Sequence, residues 1–433
     1  MQLFEIVYNI YCSTDNGPDS MMDEACLDDL NYIKNIIDNI KDIKSRYLLL
    51  GIKSSRALLI HQKISKELKK TIYFYEGSPF ENDNNNEYQF KIISKIQEHA
   101  ENGDIIILHN LNQIYAFLYD LFNKNFIIKD GKQYARICHG NYSDQYTPIN
   151  REFRVIIMVN KNYMDKVEPP FLNRFEKMLL SFSQLISEKQ KNLANSIADE
   201  FDVTKYVNKL MYKINYRLKD LLIGCHLEDI LGMIYYELDS DEKGVDDSKI
   251  KINIFDKIYK LIPQDIIVNL SEENNTLKKA YFSKKQYYNL EQYLKSNPKH
   301  KISIIYTFSC INTIINGIDE SSSFKMISEI KSEAQLFANI NSMLSDKSNN
   351  KKKYKNNDVI FIHFDYSNSK KIGFLISFII NNYYKNERLK FIFIIHVKRN
   401  FYIDKQRETI YAVPDINSKI YQLFIDNLNG PEI

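Results

Sequence analysis

The sequence predicts an α/β fold: a parallel sheet sandwiched by helices, then a helical subdomain, then a second, partial α/β module. Two observations predict it. Short apolar runs closed by turn residues alternate with stretches of three-four periodicity, the arithmetic of parallel strands joined by helical crossovers. These runs fall into two groups separated by a long helical tract, and 433 residues exceed what one ordinary core holds.

The first group comprises RYLLLG (Arg46 to Gly51), TIYFYEG (Thr71 to Gly77), DIIILHN (Asp104 to Asn110) and FRVIIMVN (Phe153 to Asn160). After DIIILHN, the positions Leu111, Ile114, Tyr115, Leu118, Leu121 and Phe122 recur at spacings of three and four, so a helix is expected there with Asn110 as its cap. Pro169-Pro170 opens a further helix, PFLNRFEKMLLSF. Residues 1–40 read as a helical lead-in, 41–185 as the first α/β module and 186–295 as a lid-like helical subdomain interrupted by the solvated acidic stretch Glu237 to Lys249. The second module, 296–433, holds the strands SIIYTF (Ser303 to Phe308), VIFIHFD (Val359 to Asp365) and KFIFIIHV (Lys390 to Val397). A charged, Asn-rich loop, KSNNKKKYKNND, precedes the second of these, and the module reads as cut off by the end of the chain.

Composition narrows the function. Apolar residues make up 44% of the chain, with 31 Tyr and 25 Phe, enough for globular cores. A formal charge of +3 with dispersed lysines gives no electrostatic footprint for nucleic acid. The cysteines at 12, 26, 138, 225 and 310 form no C-x-x-C pair, so neither a zinc site nor a disulfide framework is expected, and a reducing, intracellular setting is. MQLFEIVYNIYC has no basic n-region, and the longest apolar run, around Ile372 to Ile380, is far below a membrane-spanning length. Neither a signal peptide nor a transmembrane segment is expected.

Phosphate chemistry has recognisable requirements. A Gly-rich loop of the form G-x-x-x-x-G-K-[ST] cradles phosphates with backbone N–H groups and a lysine. None of the 12 glycines sets up that pattern. Gly51-Ile52-Lys53-Ser54-Ser55 comes nearest: Lys53 is either a weak phosphate ligand or part of an ordinary strand-to-helix turn. Hydrolysis also needs an acidic pair at the end of a buried strand, for Mg²⁺ and for the attacking water, and DIIILHN ends in His109 and Asn110 instead. Asn160 closes FRVIIMVN, where its amide either senses a phosphate or makes a turn. Arg174, early in the helix opened by the two prolines, either reaches a γ-phosphate on an adjacent module or lies on the helix surface near Glu176.

The run ENGDIIILHNLNQIYAFLYDLFNKNFIIKDGKQYARICHG followed by REFRVIIMVNKNYMDKVEPPFLNRFEKMLL closely resembles the mysterin family of giant AAA+ RING-type ubiquitin ligases. SRYLLLG and GSPF (Gly77 to Phe80) resemble the same family's lead-in, and weaker similarity continues through IYTFS, IKSEAQL, VIFIHFDYSN, FIFIIHV and YQLFIDNLNGPE. The resemblance implies P-loop-NTPase-like AAA+ units, several to a ring within one polypeptide, some degenerate. It places His109 and Asn110 at the acidic pair, Asn160 at the first sensor and Arg174 near an arginine finger. Asp365 is the acidic residue closing VIFIHFD, where it is either a Mg²⁺ ligand or a loop-start Asp. No cofactor is expected in this chain, with ATP and Mg²⁺ belonging to the parent. The implied partners are other AAA+ modules of the same polypeptide and, through the parent, the ubiquitin machinery, in the cytoplasm. With no RING or comparable zinc finger in the chain, the expectation is a non-catalytic scaffold, or alternatively a module lending Arg174 to a neighbour.

Overall fold

A computed structural model describes residues 32–52, 57–137, 146–180, 188–201, 234, 247–264, 275–284, 287–296, 300–310, 323–324, 326–349, 358–365, 371–383, 386, 389–397 and 420–429. The chain divides into two compact units, Met1–Leu185 and Ile186–Ile433.

In the first unit, β1 (Leu48–Ile52), β2 (Ile72–Glu76), β3 (Ile105–His109), β7 (Arg154–Asn160) and β8 (Glu176–Leu179) form one sheet in the order β2-β3-β7-β1-β8. Every pairing in it is parallel. The first four strands are the four apolar runs of the sequence. Their near-continuous hydrophobicity suits strands covered on both faces. One face packs on α1 (Tyr32–Lys41) and α2 (Ala57–Leu68): Ile36, Ile40, Ile60 and Ile64 lie against Leu50, Ile107 and Ile156. The other face receives α3 (Asn86–Asn102), whose Ile92, Ile93 and Ile96 meet Leu49, Ile106 and Ile157. The alternation of Leu49 and Leu50 between two cores is the period-two pleat of a strand. Asn85 caps α3 by accepting from the Tyr88 amide, and Gly103, at φ +83°, ends it.

Two sequence expectations are corrected here. The segment after Asn110 is helical, but in short turns, Asn112–Tyr115, Ala116–Leu118 and Tyr119–Phe122. Asn110 does not cap them: it sits at φ +55°, and its amide reaches back to the His109 ring. The helix opened by the prolines, α4 (Pro169–Leu172), is a single turn, and EKML becomes β8 along β1. Tertiary pairing overrides the helical expectation over Glu176–Leu179; Ser181 and Phe182 lie outside the described residues. Arg174 therefore lies between α4 and β8, not within a helix.

A second, three-stranded antiparallel sheet, β4 (Ile127–Lys129), β5 (Lys132–Arg136) and β6 (Tyr146–Ile149), was absent from the sequence reading. Its signal was available. Asp130 and Gly131, at φ +51° and +73°, join Lys129 to Lys132 as a two-residue turn, and Asp-Gly between apolar runs is the hairpin dipeptide.

The second unit contains the helices α5 (Glu188–Phe201), α6 (Asp247–Lys260), α7 (Asn275–Lys284) and α8 (Leu290–Lys295). Most of the Glu237 to Lys249 stretch lies outside the described residues; its end, from Asp247, begins α6. Then come β9 (Ile302–Thr307), β10 (Ser323–Phe324), α9 (Glu333–Asn349), β11 (Asp358–Asp365), α10 (Ile372–Tyr383), β12 (Leu389–His396) and β13 (Ile420–Phe424). The sheet order is β10-β11-β12-β9-β13, again all parallel. Substituting each strand by its position reproduces the order of the first sheet, so both units have one topology. The apolar run from Ile372 forms α10, whose buried side chains include Phe374, Ile376 and Phe378. Among the described residues no helix is long and apolar enough to cross a membrane.

Candidate functional site

In an open parallel sheet, ligands bind outside the carboxyl ends of the strands, where connections leave in opposite directions. In the first unit that point lies between β1 and β7: the chain runs from β1 to the far edge at β2, returns through β3 to β7, and crosses to β8. Ile52 and Asn160 are register partners there. Asn160 thus closes β7 where the sequence reading put it. Lys53 lies outside the described residues.

The carboxyl end of β3 is built from His109 and Asn110. His109 is 1% exposed. Its Nδ1 stands 3.5 Å from Glu76 Oε1 at the end of β2 and 3.3 Å from Asn110 Nδ2, and its ring lies 6.1 Å from that of Phe74. Its Nε2 is buried and has no hydrogen-bond partner among the described residues. Gly77 follows directly: its N–H donates to the His109 carbonyl at 2.9 Å, and a Cβ there would stand 1.9 Å from the Asn110 carbonyl oxygen. Only glycine allows the two strand ends so close. Beyond it, Ser78 hydrogen-bonds Asp83 and its N–H donates to the Tyr88 hydroxyl at 3.0 Å, while Phe80 is buried. The GSPF segment is therefore the turn that fixes the β2 end to α3.

Chemically, this edge presents an imidazole and an amide where a hydrolysing site needs carboxylates. Glu76 is the carboxylate beside the imidazole, and it stands on β2, not at the end of β3.

Arg174 is on the opposite edge. It precedes β8, and Arg46 Nη1, which precedes β1, donates to the Asn173 carbonyl at 2.7 Å. Its guanidinium lies 3.8 Å from the centroid of the Tyr119 ring and hydrogen-bonds the Pro170 carbonyl. Glu176 is not its partner; that carboxylate accepts from Asn39 Nδ2 at 2.5 Å. The sequence-derived residues Asn160 and Arg174 are thus not brought together by this unit.

The same amino edge holds a group that sequence reasoning missed. Arg154, at the start of β7, is 3% exposed. Its Nη1 donates to the Ser45 carbonyl at 3.0 Å, and its Nη2 to Asn39 O at 2.8 Å, Asn39 Oδ1 at 3.1 Å and Arg46 O at 3.0 Å. Tyr47 lies under it at 5.3 Å. Lys124 joins the cluster, donating to the carbonyls of Ile43 and Ser45; burial, with Arg154 nearby, lowers its pKa to about 8. No sequence motif marks this clasp, because all its acceptors but Asn39 Oδ1 are backbone carbonyls.

In the second unit, Asp365 closes β11 and is the register partner of His396 at the end of β12. His396 in turn pairs in register with Thr307 of β9. Among the described residues, no group of three or more His, Cys, Asp or Glu side chains could hold a metal.

Comparison with known proteins agrees with the geometry. Residues 37–186 match the RNF213 AAA domain family. The chain is 27% identical over 199 residues to the human E3 ubiquitin-protein ligase RNF213, covering 45% of this chain and 4% of that protein. It is 28% identical over 205 residues to the zebrafish (Danio rerio) E3 ubiquitin-protein ligase rnf213-beta, 46% of this chain and 4% of that protein. A putative uncharacterized transmembrane protein of Dictyostelium discoideum is 31% identical over 163 residues, 36% of this chain and 3% of that protein. The matched stretches therefore span only a few per cent of these relatives. Residues 37–186 are therefore similar in sequence to the RNF213 AAA domain, and their five-stranded parallel sheet flanked by helices is consistent with an α/β AAA+ fold.

Proposed function

We propose that the chain supplies two AAA+-type units whose work is structural within a larger RNF213-like polypeptide. They hold their place among neighbouring units and relay motion from those that hydrolyse ATP, without turning over nucleotide themselves. The supporting observation is the end of β3: His109 is buried against Glu76, and Asn110 is packed under Gly77. In-line attack on a γ-phosphate lacks its carboxylates there. Lys53, Asn160 and Asp365 remain the residues that would hold a nucleotide or its Mg²⁺ if one bound. Ubiquitin transfer, in this reading, belongs to other parts of the polypeptide, and the compartment is the cytoplasm. Titration of the purified chain with a fluorescent ATP analogue and Mg²⁺, beside a phosphate-release assay, tests this. The expected result is no hydrolysis and no saturable binding up to about millimolar nucleotide, a ceiling near 4 kcal/mol of affinity. Turnover by the isolated chain overturns it.

A second reading is favoured by one observation: Arg174 lies on the amino edge of its sheet, turned from its own carboxyl edge. A guanidinium so placed serves only a site on another module, and its stack on Tyr119 is the resting position. Arg174→Ala in the longest polypeptide carrying these units would then lower ATP turnover by about a thousandfold. An unchanged rate removes the finger role and leaves the structural one.

A further inference from the structure

The two sheets correspond row by row. In the first, His109 pairs with Met158, Met158 with Leu50 and Leu50 with Met178. In the second, His363 pairs with Ile394, Ile394 with Ile305 and Ile305 with Leu423. Both thus carry a histidine at the same place on the same strand, with apolar partners across the row. What surrounds it differs. In the first unit the neighbour is Glu76; in the second it is another histidine.

His363 and His396 are 6% and 5% exposed, with rings nearly parallel, 14° apart, and centroids 5.3 Å apart. His363 Nδ1 lies 3.0 Å from His396 Nε2, and His396 Nδ1 lies 2.8 Å from the Ser309 carbonyl. A carbonyl only accepts, so His396 carries its proton on Nδ1. Its Nε2 is then a lone pair, and His363 Nδ1–H donates to it. The order of donors is fixed: His363 to His396 to Ser309. Ser309 is itself anchored, its amide donating to Thr307 Oγ1 at 3.1 Å and its hydroxyl oxygen accepting from the Leu428 amide at 2.9 Å. One imidazole pair therefore ties the carboxyl ends of β11 and β12 to the segment that leaves β9.

We infer that His363 and His396 form a proton-operated latch at the carboxyl edge of the second sheet, closed when both rings are neutral and opened by mild acid. One proton leaves the chain of donors intact, since His363 still donates when charged. A second turns His396 Nε2 into a donor facing another donor, with two like charges about 3 Å apart. Among the described residues, the charged groups nearby do not offset two such protons. Asp365, in register with His396, favours its charged form only in part. On α8, Glu291 is paired with Lys295; beyond β13, Asp426 accepts from the Gln264 amide; Cys310 follows Ser309. Burial lowers both rings, and His396 lowers His363 further, to about 4. The unfolded chain, with histidines near 6.5, binds these protons first, so the stabilisation is complete above about 6.5 and is lost as pH falls from there towards 4.

The experiment is histidine C2–H exchange by mass spectrometry on the full chain, with amide exchange of peptides covering β9, β11 and β12, corrected for intrinsic rates. His363 is expected to titrate at least one unit below 6.5. Amide protection at the three strand ends is expected to fall roughly tenfold or more between about pH 7 and pH 4.5. In His396→Asn, whose amide still donates to Ser309, that fall should largely disappear. Titration of both rings near 6.5 in the unaltered chain overturns the latch, as does an equal loss of protection in the variant. If the variant does not fold, the titration of the unaltered chain decides alone.

Discussion

Replacing Arg154 by methionine isolates what the amino-edge clasp contributes. The methionine keeps an apolar stem against Tyr47 and removes the guanidinium, so three backbone carbonyls lose a donor. The carbonyls of Arg46 and Ser45 keep alternative donors, Asn39 Nδ2 and Lys124 Nζ. The Asn39 carbonyl, in the last turn of α1, depends on Arg154 for the bond described here. An unsatisfied buried acceptor costs about 1–3 kcal/mol, and partial losses at the other two add about 1 kcal/mol. The removed cation itself gives back part of its desolvation penalty. The expected net loss is about 2 kcal/mol, or roughly 4–8 °C in the melting of a unit this size. Calorimetry of the full chain reads it as a shift of the first unit's transition alone, and amide exchange should rise in α1 and in the segment from Asp42 to Arg46. Because the clasp is buried, about 0.5 M salt should leave the difference unchanged. Arg154→Lys, with one ammonium for a forked acceptor set, should fall between. A Met variant within about 1 kcal/mol of the parent, or a loss that salt erases, would refute the reasoning.

Other positions give sharper outcomes. Gly77→Ala places a Cβ 1.9 Å from a backbone oxygen, so the strand ends must part; loss of well over 3 kcal/mol or of soluble expression is expected, against a mild effect for Gly131→Ala, where only the positive φ opposes it. Tyr75→Phe removes the hydroxyl that lies 2.6 Å from His99 Nε2, in a line that continues from His99 Nδ1 to Asp104 at 2.7 Å; about 1 kcal/mol by denaturant titration is expected. Ile64→Ala, fully buried under the first sheet, should cost about 2–5 kcal/mol, and Ile128→Thr, 72% exposed, close to nothing by the same assay.

The two-residue β10 and the edge strand β13 were not read as strands, whereas β1, β2, β3, β7, β9, β11 and β12 were legible because their burial on two faces writes them as unbroken apolar runs. β8 was not, because an edge strand of four residues, half-buried throughout, has neither length nor alternation to show. Its identity comes from β1 beside it, which sequence spacing cannot see. That DIIILHN ends in His109 and Asn110 and not in carboxylates was readable from residue types alone. The depth of that end was not: the cap assigned to Asn110 fails because the approach of Gly77 sets the backbone there. Arg154 was invisible for a related reason, since its partners are carbonyl and amide oxygens at the end of α1 and in the loop after it, more than a hundred residues away.

The two sheets also separate what the fold requires from what a site requires. Along the row through His109 and the row through His363, three of four positions are large aliphatic or thioether side chains, interchangeable in packing terms. Two residues further out, at the carboxyl edge, Asn160 pairs with Ile52 in one sheet, while Asp365, His396 and Thr307 share a row in the other. Among the described residues these outer positions carry one carboxylate, Asp365, and not the pair that hydrolysis needs at the end of the third strand, while apolar cores pack beneath them. A unit that keeps its core and its strand order without that edge retains its shape, and shape is the property on which the proposed structural role depends.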